Sequence, residues 1–208
     1  LVDLNIASDE LLRTLFQRVG GLSQGEAAIL ASRVRDFVDP DDVPAGVGGA
    51  ESSQYRAAGW PSMPRNAAME DISELRFVLG MTPELYEIIE PYLGLNGRQL
   101  IEIDSAPPQL IDALTGQKGL GARIHKSPRE VRSGMLLTGA AADLFAPARA
   151  SGARRVRLRA SVTSDAGRGW QREVWIDLGG RPDALTPWAT LSLESTRRFN
   201  KPEQGFKP

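Results

Sequence analysis

The 208-residue sequence lacks cysteine and contains a single histidine, His125. Without cysteine the chain has no disulfide, no thiolate nucleophile and no cysteine-based zinc site. With one histidine, transition-metal centres and serine–histidine–aspartate catalysis are short of their usual residues. His125 stands beside Lys126 with no evident partner, which favours a surface position. These absences argue against an enzyme.

Long apolar runs are also missing. No stretch approaches the roughly 18–20 apolar residues of a membrane-spanning helix, and the opening "LVDLNIASDE" is not a signal peptide. The chain begins without Met and inside a structured motif, so we expect a fragment whose N-terminal part has been removed. A composition of 41% hydrophobic and 25% charged residues is typical of a folded protein.

Charge is divided unevenly along the chain. Residues 1–106 carry 17 acidic and 8 basic side chains, a net charge of −9, whereas residues 107–208 carry 9 and 17, a net charge of +8. This asymmetry indicates two pieces of different character or two different contact surfaces. Ordinary fluctuation of surface charge is the alternative.

The first forty residues predict two helices. Ser8 is the expected N-cap of the first helix, which Gly20 and Gly21 end, and Asp39–Pro40 ends the second. Apolar residues recur at helical spacing in both segments, as expected of helices packed on a core. The predicted buried residues are Leu11, Leu12, Leu15, Phe16 and Val19, followed by Ala27, Leu30, Ala31, Val34, Phe37 and Val38.

A second helix–turn–helix follows in "MEDISELRFVLGMTPELYEIIEPYLGL". Gly80 is the expected turn, Thr82 the N-cap of the next helix, and its buried side is predicted to be Leu85, Ile88 and Ile89. Paired helices of this kind can present backbone amides to DNA, so a helix-hairpin-helix nucleic-acid-binding module is the alternative function. The hairpin instead carries Glu84, Glu87 and Glu90, which would repel phosphates and favour protein packing.

An internal repeat links the two ends of this region. Residues 4–15, "LNIASDELLRTL", align without gaps to residues 103–114, "IDSAPPQLIDAL". A short strand is expected near residues 99–104, just before the second copy. These elements predict a helical domain over residues 1–150.

The periodicity changes after about residue 150. In "RRVRLRASVTS" the apolar residues Val156, Leu158, Ala160 and Val162 alternate with arginines, which predicts a strand with a buried apolar side and a basic exposed side. We expect an antiparallel sheet over residues 151–200, a flexible tail over 201–208, and an α+β fold class for the whole chain. The basic strand is the one feature typical of nucleic-acid binding, although an exposed sheet face is the favoured explanation.

Four carboxylates flank a Pro/Gly-rich loop in "DFVDPDDVPAGVGGAESSQY", residues 36–55: Asp39, Asp41, Asp42 and Glu51. Hard cations such as Ca²⁺ need about six to eight oxygen ligands, which carboxylates and loop carbonyls supply. The spacing is not that of an EF-hand, because Val43 stands where an oxygen ligand belongs. The residues leave two interpretations open, a bound cation or a solvated loop at a helix C-terminus.

The order of the motifs resembles the K-type minor pseudopilins of the bacterial type II secretion system, also named general secretion pathway protein K. The resemblance depends on "DLNIAS" at 3–8, "DFVDPDD" with "GGAESSQY" at 36–55, "PRNAAMEDISELRFVLGMTPELYEIIEPYL" at 64–93 and "IEIDSAPPQLIDAL" at 101–114. It implies a type IV pilin-like antiparallel sheet into which a large helical domain, of helix-hairpin-helix or SAM-like type, is inserted. The N-terminal membrane helix of that fold would be absent from this fragment.

The resemblance also implies a function. Members of the family are non-enzymatic tip subunits of the periplasmic pseudopilus, which start assembly with the I-type and J-type minor pseudopilins and are expected to contact exported protein substrates. We therefore expect a periplasmic domain of an inner-membrane protein, with no nucleic-acid partner. Some members bind calcium in the helical domain, and the matching acidic positions here are Asp39, Asp41, Asp42 and Glu51.

Overall fold

A computed structural model describes residues 1–95, 97–136, 142–146, 155–164, 168–179, 186–193 and 195–200. The chain divides into two compact units, residues 1–148 and 149–208. The predicted tail, 201–208, lies outside the described residues. Across the described segments, no helix combines the length and the apolar character that crossing a bilayer requires.

Two helices open the first unit where the sequence predicts them. Helix α1, Asp9–Arg18, begins at Ser8, whose hydroxyl accepts a hydrogen bond from the Leu11 N–H. Helix α2, Gln24–Val38, begins at Ser23 with a reciprocal capping box to Glu26. The predicted apolar stripes of both helices are buried, with Val19 and Val38 partly exposed at their ends. This confirms the helical periodicity of residues 8–38.

Short elements follow α2. Helix α3 is Ser52–Ala57, a 3₁₀-helix spans Ile72–Phe77, helix α4 is Pro83–Ile89, and a second 3₁₀-turn spans Glu90–Tyr92. Thr82 caps α4 as predicted, with its hydroxyl accepting from the Leu85 N–H. The predicted burial of Ile88 is wrong: its side chain is 50% exposed, and Tyr86 is buried in its place. The seven-residue helix turns Leu85, Tyr86 and Ile89 toward the core.

The internal repeat is visible in the backbone. Strand β1, Val2–Asp3, pairs in parallel with β2, Leu93–Gly94, and β3, Ile101–Glu102, pairs in parallel with β4, Phe145–Ala146. The Ala7 N–H donates to the Asp3 carbonyl, and the Ala106 N–H donates to that of Glu102, at the same distance of 2.9 Å. Both copies then begin a helix at the equivalent residue. In the second copy this is α5, Pro108–Thr115, followed by α6, Leu120–Lys126, and α7, Arg129–Arg132.

Further 3₁₀-turns span Ser133–Leu136 and Ala142–Leu144. The last of these leads into β4, as Glu90–Tyr92 leads into β2. Leu4, Leu11 and Leu15 and their counterparts Ile103, Leu110 and Leu114 are all buried in one continuous core of the first unit. The two copies thus share a strand, a turn and a helix that pack in the same way.

The second unit contains an antiparallel sheet. Strand β6, Arg168–Asp177, pairs through residues 169–177 with the whole of β5, Arg155–Thr163. Its other side pairs with β7, Ala189–Leu193, and with β8, Arg197–Asn200, at opposite ends. The segments whose alternating pattern predicts strands thus form an antiparallel sheet, as expected.

The predicted burial of the apolar row of β5 is wrong. Leu158 and Val162, in the apolar row, are 49% and 66% exposed. On the arginine row, Glu173 is buried between Arg157 and Arg159, and Arg157 also lies 5.7 Å from the Trp175 ring centroid. Cross-strand ion pairing neutralises arginines that the alternation alone assigns to solvent.

Candidate functional site

The acidic loop joins the C-terminus of α2 to the N-terminus of α3. Pro40 stops α2, and the Asp41 side chain then accepts a hydrogen bond from the Val43 N–H at 2.9 Å, which forms a turn. Asn66 holds the end of α2 and the start of the loop through two hydrogen bonds. Its side-chain amide donates to the Asp41 carbonyl, and its backbone N–H donates to the Phe37 carbonyl. The loop entrance is therefore fixed by hydrogen bonds.

A fully buried carboxylate, Asp36, closes the other side of the loop. Its two oxygens accept hydrogen bonds from the N–H groups of Ala45, at 2.8 Å, and Ala50. Only glycine fits at position 49, where an added Cβ would lie 2.3 Å from the Ala45 carbonyl oxygen and 2.5 Å from Asp36 Oδ2. The sequence Gly48–Gly49 thus lets the backbone wrap closely around this carboxylate.

Three carboxylates converge inside this loop. Oxygens of Asp36, Asp39 and Glu51 all lie within 4.8 Å of one another. Glu51 is 1% exposed, and both of its carboxylate oxygens are buried without a hydrogen-bond partner, as is Oδ1 of Asp39. Unpaired buried carboxylate oxygens are rare because the charge loses its hydration without compensation.

The electrostatics of the cluster are unfavourable for three anions alone. Burial, followed by the charges of Asp36, Asp39, Asp42 and Asp41, raises the pKa of Glu51 from 4.5 to about 7. Burial and the neighbouring charges of Asp41 and Asp36 also raise the pKa of Asp39, and burial raises that of Asp36 despite its two backbone donors. The site therefore attracts either protons or a cation.

The structure brings two of the four predicted residues, Asp39 and Glu51, into the cluster. Asp41 and Asp42 are exposed at its rim, and the Asp42 carboxylate accepts from the Ser52 N–H at 3.3 Å. Sequence reasoning missed Asp36. The available signal was its position three residues before Asp39, which places the carboxylate of the C-cap residue Asp39 on the same side of α2 as that of Asp36.

The donor set is suited to a hard cation. It consists of oxygen atoms alone, and three carboxylates supply up to six of the six to eight oxygens that Ca²⁺ takes; loop carbonyls and water can supply the remainder. Mg²⁺ demands a stricter octahedron and retains more of its water, which suits a dry three-carboxylate cluster less well. The orphaned oxygens of Glu51 and Asp39 fit a metal ligand better than a solvated loop.

The segment that contains the acidic loop is similar to known proteins. Residues 4–96 match the family described as type II secretion system (T2SS), protein K. Two relatives are type II secretion system protein K of Pectobacterium carotovorum subsp. carotovorum, 36% identical over 104 residues, and that of Klebsiella pneumoniae, 38% identical over 75 residues. These alignments include 46% and 36% of this chain but 31% and 23% of the relatives, so the chain spans less than a third of either matched protein.

A solved structure shares the fold. It is that of the GspK-GspI-GspJ complex from the type 2 secretion system of enterotoxigenic Escherichia coli, with a TM-score of 0.63, 18% sequence identity, and coverage of 92% of this chain and 73% of that one. At 18% identity, this similarity is one of fold. Residues 4–96 match protein K of that system, and both relatives are protein K, which confirms the resemblance of the motifs over that segment.

Proposed function

We propose that this chain is the periplasmic part of a minor pseudopilin of the type II secretion system, a non-enzymatic component of pseudopilus assembly and protein export. The match of residues 4–96 to protein K carries this proposal. The sheet of the second unit would be the pilin-like part and the helical first unit the inserted domain. A membrane-anchoring helix of the parent protein would precede this segment.

The proposed partners are the I-type and J-type minor pseudopilins. Support comes from the fold shared with a protein whose structure was solved in a GspK-GspI-GspJ complex. Pseudopilin filaments grow through heterologous contacts, so a subunit with a bulky helical domain would block addition beyond it and would occupy the tip. Exported substrates would then meet this subunit first.

The nucleic-acid alternative receives no support from the hairpin surface. Glu84 and Glu87 on α4 are exposed, where a phosphate-binding hairpin needs basic side chains. A secretion role is tested by co-purifying the full-length protein with its I-type and J-type partners and by deleting it. We expect a stable complex and loss of secretion on deletion. A protein that binds neither partner, and whose deletion leaves secretion intact, would not be a minor pseudopilin.

We also propose that the acidic cluster binds Ca²⁺ as a structural ion. Asp36, Asp39 and Glu51 would supply the inner carboxylates, and Asp41 and Asp42 at the rim would add negative potential or further oxygens. The buried, unpaired oxygens of Glu51 and Asp39 support the proposal, since a divalent cation would satisfy them and cancel the repulsion that raises the Glu51 pKa.

Calorimetric titration with Ca²⁺ tests the site. Glu51→Gln and Asp39→Asn keep the side-chain shapes and should abolish the binding heat, and Asp41→Ala should weaken binding less because Asp41 lies at the rim. Glu87→Gln, an exposed substitution on α4, is the matched control and should bind like the parent. If the parent chain gives no heat, or if Glu51→Gln binds normally, the proposed ion is wrong.

A further inference from the structure

A short segment, residues 77–79, is held in place by side chains that come from the wall of the acidic loop. The Leu79 N–H donates to the Tyr55 hydroxyl at 2.9 Å, and the Leu79 carbonyl accepts from Arg33 Nη1 at 3.1 Å. Just before it, the Phe77 carbonyl accepts from Trp60 Nε1 at 3.0 Å. The end of the 3₁₀-helix Ile72–Phe77 is thus capped by residues distant in sequence.

Arg33 and Tyr55 are also attached to the acidic loop. Arg33 Nε donates to the Gly48 carbonyl at 3.0 Å, so one guanidinium joins the loop to Leu79. Tyr55 is fully buried on α3, and its N–H donates to the carbonyl of Glu51 at 3.0 Å. Both side chains therefore hydrogen-bond to Leu79, and each residue is joined to the acidic loop by one further hydrogen bond, through the side chain of Arg33 and through the backbone N–H of Tyr55.

The contact between Arg33 and the hairpin is tight. Gly80 has φ of 90°, and a Cβ at that position would lie 2.6 Å from Arg33 Nη1. The guanidinium therefore fills the space that a side chain would occupy, and a displaced Arg33 would leave the Gly80 turn without this support. Movement of the loop around Gly48 cannot leave segment 77–79 unaffected while these bonds persist.

We infer that a divalent cation held by Asp36, Asp39 and Glu51 stabilises segment 77–79 through Arg33 and Tyr55. The inference rests on the cation site proposed above. Without the cation, repulsion between the half-buried Asp39 and the buried Asp36 and Glu51 favours opening of the loop. Opening withdraws the Gly48 carbonyl from Arg33 and loosens the turn of α3 that carries Tyr55. The cation favours the closed loop, and by linkage it favours the ordered state of segment 77–79.

The coupling reaches the molecular surface. Phe77 is 51% exposed and Met63 is 44% exposed, and Trp60 and Ser62, which lie between Tyr55 and Met63 in sequence, both donate to the Phe77 carbonyl. Ordering of residues 77–79 therefore fixes the backbone of a half-exposed aromatic residue. The cation would therefore control the rigidity of the surface around Phe77 as well as that of the acidic loop.

Hydrogen exchange of the 208-residue protein in Ca²⁺ and in chelator measures the coupling. Residues 39–51 report on the cation loop, the Leu79 amide reports on the hairpin, and residues 108–126 report on global stability. In the parent protein we expect Ca²⁺ to slow exchange at Leu79 by about five- to tenfold, the lower end of typical coupling between sites. Residues 108–126 should change less, because the described hydrogen bonds of Arg33 and Tyr55 lead to the acidic loop, to Trp60 and to Leu79 and not to these residues.

A double variant, Arg33→Met with Tyr55→Phe, removes both links to Leu79 and leaves the three carboxylates of the cluster unchanged. It should keep the Ca²⁺ protection of residues 39–51 and lose that of Leu79, whereas Arg56→Met, an exposed arginine on α3, should behave like the parent. Arg33→Lys is the milder substitution if the double variant unfolds, since lysine cannot bridge two carbonyls through a planar fork.

The outcomes separate the two proposals. If Ca²⁺ protects neither residues 39–51 nor Leu79 in the parent, the cation site itself is wrong. If Ca²⁺ protects residues 39–51 but not Leu79, the site stands and the coupling is refuted. Equal protection of Leu79 and residues 108–126, or unchanged Leu79 protection in the Arg33 and Tyr55 variants, would also refute it, because the effect would then be global stabilisation.

Discussion

Replacing Glu51 by glutamine should stabilise the cation-free protein and destabilise the calcium-loaded one. In the folded state the pKa of Glu51 is raised from 4.5 to about 7 by burial and by four neighbouring carboxylates. Each pKa unit is worth about 1.4 kcal/mol, so ionised Glu51 costs the fold about 3 kcal/mol at pH 8. Neutral glutamine removes that cost, and its N–H₂ group can donate to the neighbouring carboxylates.

The pH dependence has a defined sign. A carboxyl whose folded pKa lies above its unfolded value binds more protons in the folded state. The contribution of Glu51 to the free energy of unfolding is therefore most favourable below about pH 4.5, and it is lost as the pH rises through about 7. The benefit of Glu51→Gln should therefore vanish at low pH and reach about 3 kcal/mol at pH 8, which is roughly 6–12 °C in Tm for a chain of this size.

Thermal and urea unfolding in chelator and in excess Ca²⁺, at pH 5 and pH 8, measure both signs. Ca²⁺ should raise the Tm of the parent and leave that of Glu51→Gln almost unchanged, since stabilisation by a ligand requires binding to the folded state. Glu87→Gln is the control and should follow the parent throughout. A Glu51→Gln protein that is less stable than the parent at pH 8 in chelator would refute the account of the cluster, because Glu51 would then have a favourable partner.

Three further results should follow. Ca²⁺ binding should release a proton and tighten between pH 5.5 and 7.5, because ligation requires ionised Glu51; a binding heat that is the same in buffers of different ionisation enthalpy would contradict this. Gly49→Ala should destabilise the first unit by about 2–3 kcal/mol in urea unfolding, since the methyl group has no space beside Ala45, whereas Gly25→Ala, which meets nothing within 4 Å, should not. Glu173→Ala should destabilise the sheet by about 1–3 kcal/mol in urea unfolding, because it removes the buried carboxylate that pairs with Arg157 and Arg159; a loss below about 0.5 kcal/mol would contradict a stabilising ion pair.

The helical part of the fold was largely predictable from sequence. Helices α1 and α2 combine strong caps with long apolar stripes, so local propensity and burial agree. Helix α4 has only two turns, and its buried face depends on which neighbours surround it, which the sequence pattern does not encode. That is why Ile88 was assigned to the core and Tyr86 was not.

The sheet and the cation cluster show a second limit. Alternation identified the strands, but it assigned every arginine to solvent because it carries no information about cross-strand partners such as Glu173. In the acidic loop, the carboxylates that flank the glycines were evident, whereas Asp36 was hidden inside a helix that reads as apolar. Its role depends on Gly49 bringing the backbone close enough to meet it.

The repeated strand–turn–helix suggests how such a loop can arise. The strand pairs β1–β2 and β3–β4 close the two copies in the same way, yet the first encloses residues 2–94 and the second residues 101–146. Doubling the length of a closed segment costs only about 0.6 kcal/mol in chain entropy. A repeated module with this geometry therefore tolerates insertions. One copy can stay short and preserve the core, while the other accommodates α2 and an acidic loop that can bind a cation, at little cost in chain entropy.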